Sequence, residues 1–162
     1  MIVALMAGCC LSVMAQSWLP FKERAAGQAE WKKHEAVALL DSTGVVVADN
    51  GSGSFTIRQV VQVKNKAGAL KYRVIKYDYD PLTAFAEFSR ATVYKADGSQ
   101  RTIDVAQACD YAAPARAIYW GARQIMLEIG ALDAGDIIDY EISKKGFTYA
   151  LLAADDEERF VP

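Results

Sequence analysis

The side chains of this chain that could carry a reaction are few: one histidine, His34, three cysteines, Cys9, Cys10 and Cys109, and twenty carboxylates. A thiol or hydroxyl nucleophile needs a base in hydrogen-bond reach, itself oriented by a third group. His34 lies in a charged stretch far in sequence from Cys109, so an exposed histidine with no catalytic partner is expected. Structural zinc needs three or four Cys, His or carboxylate ligands at suitable spacing, and the single histidine argues against such a set. Calcium needs clustered oxygens around a glycine-centred loop. Asp78 and Asp80 stand two apart on a predicted strand and face the same way, and Asp155-Asp156-Glu157-Glu158 form an acidic run; both read as solvated faces. Glycosidases use paired carboxylates, and no pair stands out here. Gly51, Gly53 and Gly68 are expected in hairpin turns, not in the strand-to-helix loop that binds phosphate. Asn50-Gly51-Ser52 fits a glycosylation acceptor, although the turn explains it better. No catalytic residue, metal or cofactor is expected.

Two features could bind a partner instead. Tyr119-Trp120 are adjacent aromatics in a predicted loop, a possible platform for a protein or a sugar ring. Phe147, Tyr149, Leu151 and Leu152 precede the acidic run and could cover a sheet edge or lead into a following domain.

The elements that position these residues begin after an apolar leader. The first fifteen residues carry no charge, and they fall short of the about 20 needed to cross a bilayer as a helix. They fit the apolar region of a secretory signal, with Val13 and Ala15 at the small-residue positions and cleavage between Ala15 and Gln16. No Lys or Arg precedes the run, as a start site placed slightly late would explain. Ala7-Gly8-Cys9 offers the alternative of a lipoprotein signal with Cys9 lipidated, although Met6 fits that pattern poorly. The expected location is periplasmic or secreted. The alternative is a lipid anchor in the outer membrane, and contact with a membrane is expected only in that case. If the leader departs, Cys109 is the only thiol; it cannot form an internal disulfide and is expected as a small buried hydrophobe.

The whole chain has 162 residues, 52% hydrophobic and 23% charged, with a formal net charge of -2. That is enough to build a core without disulfides. Lys32-Lys33 and Lys144-Lys145 are the only basic pairs, so nucleic acid is not an expected partner.

Residues 16–34 form a polar arm, a short helix or irregular. From Glu35 the pattern turns to strands. Val37 and Leu39 are followed, after Ser42-Thr43-Gly44, by Val45-Val46-Val47. Asp49-Asn50-Gly51 supplies a tight turn. Across residues 54–64, Phe55, Ile57, Val61 and Val63 alternate with polar neighbours, the period of a half-buried strand. Asn65-Lys66-Ala67-Gly68 is read as a turn into a strand from Leu70, which Pro81 ends. Residues 84–94 form the next strand, Asp97-Gly98 turns, and Thr102 to Val105 pair back. Residues 106–122 read as a loop with at most a helical turn. Ile125, Leu127 and Ile129 alternate, and Ile137 to Ser143 make the last strand. Many short strands joined by Gly/Asn/Asp turns predict an all-β, antiparallel sandwich or barrel. The expected layout is a signal peptide (1–15), a polar arm (16–34), a β-sandwich (35–146) and a tail (147–162) leading towards a following or absent domain.

The ordered set Val37-Ala38-Leu39-Leu40-Asp41, Asn50-Gly51, Val63 to Gly68, Tyr79-Asp80-Pro81, Ala91-Thr92-Val93-Tyr94, Asp97-Gly98, Arg123 and Leu132 to Tyr140 resembles a known domain. It is the N-terminal domain of unknown function that precedes transglutaminase-like domains in exported Gram-negative bacterial proteins. The resemblance spans about residues 36 to 145. It implies an immunoglobulin-like β-sandwich; in longer relatives a transglutaminase-like domain with a Cys-His-Asp triad follows, and the 162 residues here end before such a domain. No position of this sequence matches the triad motif, so none of its residues is carried over. The function expected is a non-catalytic accessory module of an exported, peptide-directed transglutaminase-like protein, its partner that domain in cis. The alternative is a free-standing periplasmic binding module for an envelope protein or glycan.

Overall fold

The computed structural model describes residues 29–113 and 121–147. A 3-10 turn, Ala29–Lys33, leads into strand β1 (Ala36–Val47), which the 48–51 turn joins to β2 (Ser52–Val63). A short helix, α1 (Lys66–Lys71), follows, and then β3 (Val74–Tyr79), β4 (Ala84–Tyr94) and β5 (Gln100–Thr102). After a second 3-10 turn, Val105–Gln107, come β6 (Cys109–Ala112), β7 (Arg123–Glu128) and β8 (Ile137–Phe147). Every strand pair is antiparallel. One sheet runs β1-β2-β8-β4-β5 and the other β3-β7-β6, the two layers of the predicted β-sandwich.

Alternation explains which side chains lie between the layers. Ile138, Tyr140 and Ile142 of β8 point inward and meet Ile75 and Tyr79 of β3 and Ile125 and Leu127 of β7 in one continuous core. In β4 the inward set is Ala86, Phe88, Ala91 and Val93. The step from 88 to 91 is a β-bulge, since Phe88 pairs with Ile142 and Arg90 with Glu141. The extra residue keeps Ala91 and Val93 in the core and sends Arg90 to the outer face. A second bulge, between Ala38 and Leu40, turns Leu39 outward. There Leu39, Val60 and Ile137 form a small cluster that Trp31 of the first 3-10 turn packs against.

Four sequence expectations are corrected. Residues 36–47 form one unbroken strand, because the Ser42-Thr43-Gly44 stretch pairs with β2 as fully as its flanks do. Asn65 is a helix cap rather than a turn residue: its side chain accepts the Gly68 N–H at 3.0 Å, and residues 66–71 are helical where a strand was expected from Leu70. Gly68 belongs to this helix, where an added Cβ would stand 2.0 Å from the Glu35 carbonyl oxygen, and Gly53 lies inside β2. Of the three glycines expected in turns, Gly51 alone is in one, at φ 78°. Finally, residues 109–112 form a strand paired to β7, within the stretch read as a loop.

Candidate functional site

On the outer face of the larger sheet, β8 places Asp139 and Glu141 two residues apart, opposite Arg58 of β2 and Arg90 of β4. Arg58 donates to Asp139 through Nε at 3.1 Å and through its terminal nitrogen at 2.8 Å. Arg90 reaches Asp139 at 3.2 Å and Glu141 at 3.5 Å. Asp139 has no solvent exposure, a burial that only paired charge makes tolerable. The hydrogen bond to Asp139 raises the Arg58 guanidinium above its ordinary value. A second buried carboxylate, Asp136, accepts from Lys95 Nζ at 2.6 Å and from the Asp133 N–H at 2.8 Å. Lys95 also bonds Asp133 at 2.8 Å, and these two carboxylates push its ammonium up. A third group sits on the smaller sheet: Asp110 accepts from the Tyr79 hydroxyl at 2.8 Å and from Arg123 Nε at 2.9 Å. Each cluster spends its polar capacity inside the fold, which suits cross-bracing of strands better than acid–base work.

The residues singled out from sequence are not brought together. His34 is exposed, and its N–H donates to the Trp31 carbonyl at 3.3 Å. Cys109 is exposed, against the expectation of a buried thiol. The reason is its place on β6, an edge strand whose four residues are all exposed. Cys109 lines a cleft of about 320 Å³ with Phe85, Phe88, Val105 and Ile125, and His34 is not among the lining residues. Asp78 and Asp80 do not share a face, because β3 ends at Tyr79. Asp78 accepts from Gln124 at 2.5 Å, while Asp80 accepts from the Leu82 N–H at 2.9 Å. Among the described residues no group of three or more His, Cys, Asp or Glu could hold a metal ion. No helix among them is long and apolar enough to cross a membrane. Tyr119, Trp120, Ala15, Gln16, Cys9 and the 155–158 acidic run lie outside the described residues.

The surface left for binding is apolar and sits at one end of the larger sheet. Val46 at 71% exposure and Phe147 at 70% flank a groove of about 290 Å³ floored by Ser52, Gly53, Ser54 and Gly146. Leu82 and Phe85 are exposed as well. Lys145 lines the groove and gives it one basic side, while Lys144, 5.2 Å from the centre of the Phe55 ring, belongs to the other face of the sheet. Sequence reasoning saw Phe147 and Val45-Val46-Val47 as strand or tail residues. Three consecutive exposed valines in a strand are the signal that could have marked this end.

A solved structure shares this architecture. The crystal structure of a "putative protease" from Parabacteroides distasonis superposes with a TM-score of 0.57 at 17% sequence identity, covering 69% of this chain and 23% of that one. The chain thus matches under a quarter of that protein's length. A CBM3a-L domain from the cellulosome scaffoldin of Clostridium thermocellum aligns with a TM-score of 0.41 at 10% identity, covering 69% of this chain and 68% of that one, too distant a likeness to build on. No curated protein matches the sequence. Residues 49–155 match the domain of unknown function with solved structure known as DUF3857, and the chain belongs to that family.

Proposed function

We propose that this chain is a non-catalytic accessory module of a longer exported protein that acts on peptides through a transglutaminase-like domain. The observation that carries the reading is the division of the surface. The buried carboxylates Asp136 and Asp139 are tied to Lys and Arg partners, while exposed apolar side chains gather near Phe147, the last described residue of β8. A patch of that kind marks a contact face rather than a reaction centre. The "putative protease" supports the context, since the shared fold accounts for only 23% of its chain. The uncharged leader supports export to the periplasm.

Two measurements test the reading. The coding sequence beyond Pro162 is expected to continue in frame into a transglutaminase-like domain; a stop codon followed by unrelated sequence overturns it. The purified chain is expected to leave peptide substrates intact, and turnover abolished by Cys109→Ala overturns the non-catalytic assignment.

A further inference from the structure

We infer that the groove between Val46 and Phe147 is the seat of this chain's own next segment, Tyr149 to Leu152, folded back over the outer face of the larger sheet. The register of three strands builds that groove. Val46 of β1 pairs with Ser54 of β2, and Ser54 pairs with Lys145 of β8, so the three stand in one row. In the row beyond it Ser52 pairs with Phe147, and the Ala48 N–H donates to the Ser52 carbonyl at 2.8 Å. Alternation places Val46, Ser54, Lys145 and Phe147 on the face opposite Ile57 and Ile142, away from the core. At this end β2 offers only serine and glycine, so the middle strand is the floor and its two neighbours are the walls. From wall to wall the groove spans two strand spacings, about 10 Å.

The other end of this face already shows how such a surface is covered. There Trp31, from the turn that precedes β1, packs against Leu39, Val60 and Ile137. Ile137 and Phe147 are the two ends of β8, about 33 Å apart at strand rise. One end of the face thus has its cover among the described residues, and the groove end has none.

Three observations select residues 149–152 as the occupant. The first is continuity: Phe147 is both the last described residue of β8 and part of the groove wall. Leu151 stands four residues further on, a reach of up to about 14 Å, which exceeds the width to be crossed. The second is chemistry: Tyr149, Leu151 and Leu152 match the apolar walls, and Asp155 to Glu158 follow with the charge opposite to that of Lys145. The third is the extent of the family, which runs to residue 155 and so counts this segment within the shared domain. The other stretches outside the described residues start elsewhere. Residues before 29 lead in at the Trp31 end, and residues 114–120 join β6 to β7 of the smaller sheet. With the groove filled, Leu82 and Phe85 remain as the open part of the apolar surface. The inference rests on the groove and on this chain's own residues, and it holds whether or not a hydrolase domain follows.

Nuclear Overhauser spectroscopy on the full chain with labelled methyl groups tests it. Contacts from the Leu151 or Leu152 methyls to the Val46 methyls are expected. A sample that mixes labelled and unlabelled chains separates contacts within one molecule from contacts between two. Leu151→Asp combined with Leu152→Asp is expected to speed amide exchange of residues 149–152 by about tenfold or more, the scale of freeing one buried leucine, with unchanged circular dichroism. If that variant fails to fold, the contacts in the unaltered chain decide. Leu151 and Leu152 methyls that make no contact with Val46 overturn the proposal. So do Val46 contacts that come from another segment of the chain or from a second copy.

Discussion

Arg58 holds Asp139 with two hydrogen bonds, at 3.1 and 2.8 Å, across the β2–β8 ladder, and Asp139 is wholly buried. The pair stands on the outer face of the sheet. Trp31, Leu39 and Tyr94 form the neighbouring apolar cluster on that face. Arg90 joins from β4 because the bulge after Phe88 reverses its facing. Three strands are thereby tied through one carboxylate.

Removing that carboxylate leaves two guanidinium groups facing each other. Asp139→Asn is expected to cost about 3 kcal/mol, near the lower end for breaking a buried pair because both arginines keep some contact with water. Urea denaturation followed by circular dichroism measures it. A loss below about 0.5 kcal/mol, the scale of an ordinary surface change, would remove the brace from the account.

Alkaline stability is expected to fall through the tyrosine range. Burial pushes Tyr140 from its ordinary 10.0 up to about 12. The folded state then keeps a proton that the unfolded chain releases, so the contribution is intact below pH 10 and declines as pH rises towards 12. Lys95, raised by its hydrogen bonds to Asp133 and Asp136, acts with the same sign: its stabilisation is complete below the unfolded value and is lost as pH rises through the folded one. Tyr140→Phe should flatten the tyrosine part of the decline, and Lys95→Met the other part. Denaturant midpoints between pH 9 and pH 12 test both, the window being that of these groups.

Two glycines should respond in opposite ways to the same substitution. Gly68→Ala places a methyl group 2.0 Å from the Glu35 carbonyl oxygen and is expected to cost about 2 kcal/mol or more, since the obstacle is backbone. Gly44→Ala meets nothing among the described residues closer than 3.9 Å and is expected to change stability by less than about 0.5 kcal/mol. Thermal melts of each variant make the comparison.

Cys109 should react in the native state. Its exposure on β6 predicts alkylation by iodoacetamide without denaturant, read by peptide mass mapping of the residue 109 fragment. Protection lifted only by unfolding would restore the buried thiol expected from sequence. Cys109→Ser is expected to leave stability within about 0.5 kcal/mol.

Much of the fold was legible because period-two alternation is a local property. The bounds of β4, Ala84–Tyr94, match the expected strand, and Ile57, Val61 and Val63 share the inward face of β2 as their spacing implies. The expectation fails where a local pattern has two solutions. Leu70-Lys71-Tyr72 alternates like a strand, yet the Asn65 cap and the closeness of Gly68 to Glu35 make residues 66–71 a helix. The candidate site was less legible. Val45-Val46-Val47 reads as an ordinary core strand until it is known that β1 is an edge.

By itself, the sequence determined the antiparallel β class, most of the strands and the tight turns at Gly51 and Gly98, because side-chain period and positive-φ glycines act within a few residues. Only the tertiary structure decided which faces are covered. Burial of Asp139, exposure of Cys109 and the place of β1 at the end of the described sheet depend on strand order and on bulges that shift facing by one residue. Those follow from contacts between segments far apart in the chain, such as residues 58 and 139, which no local pattern encodes.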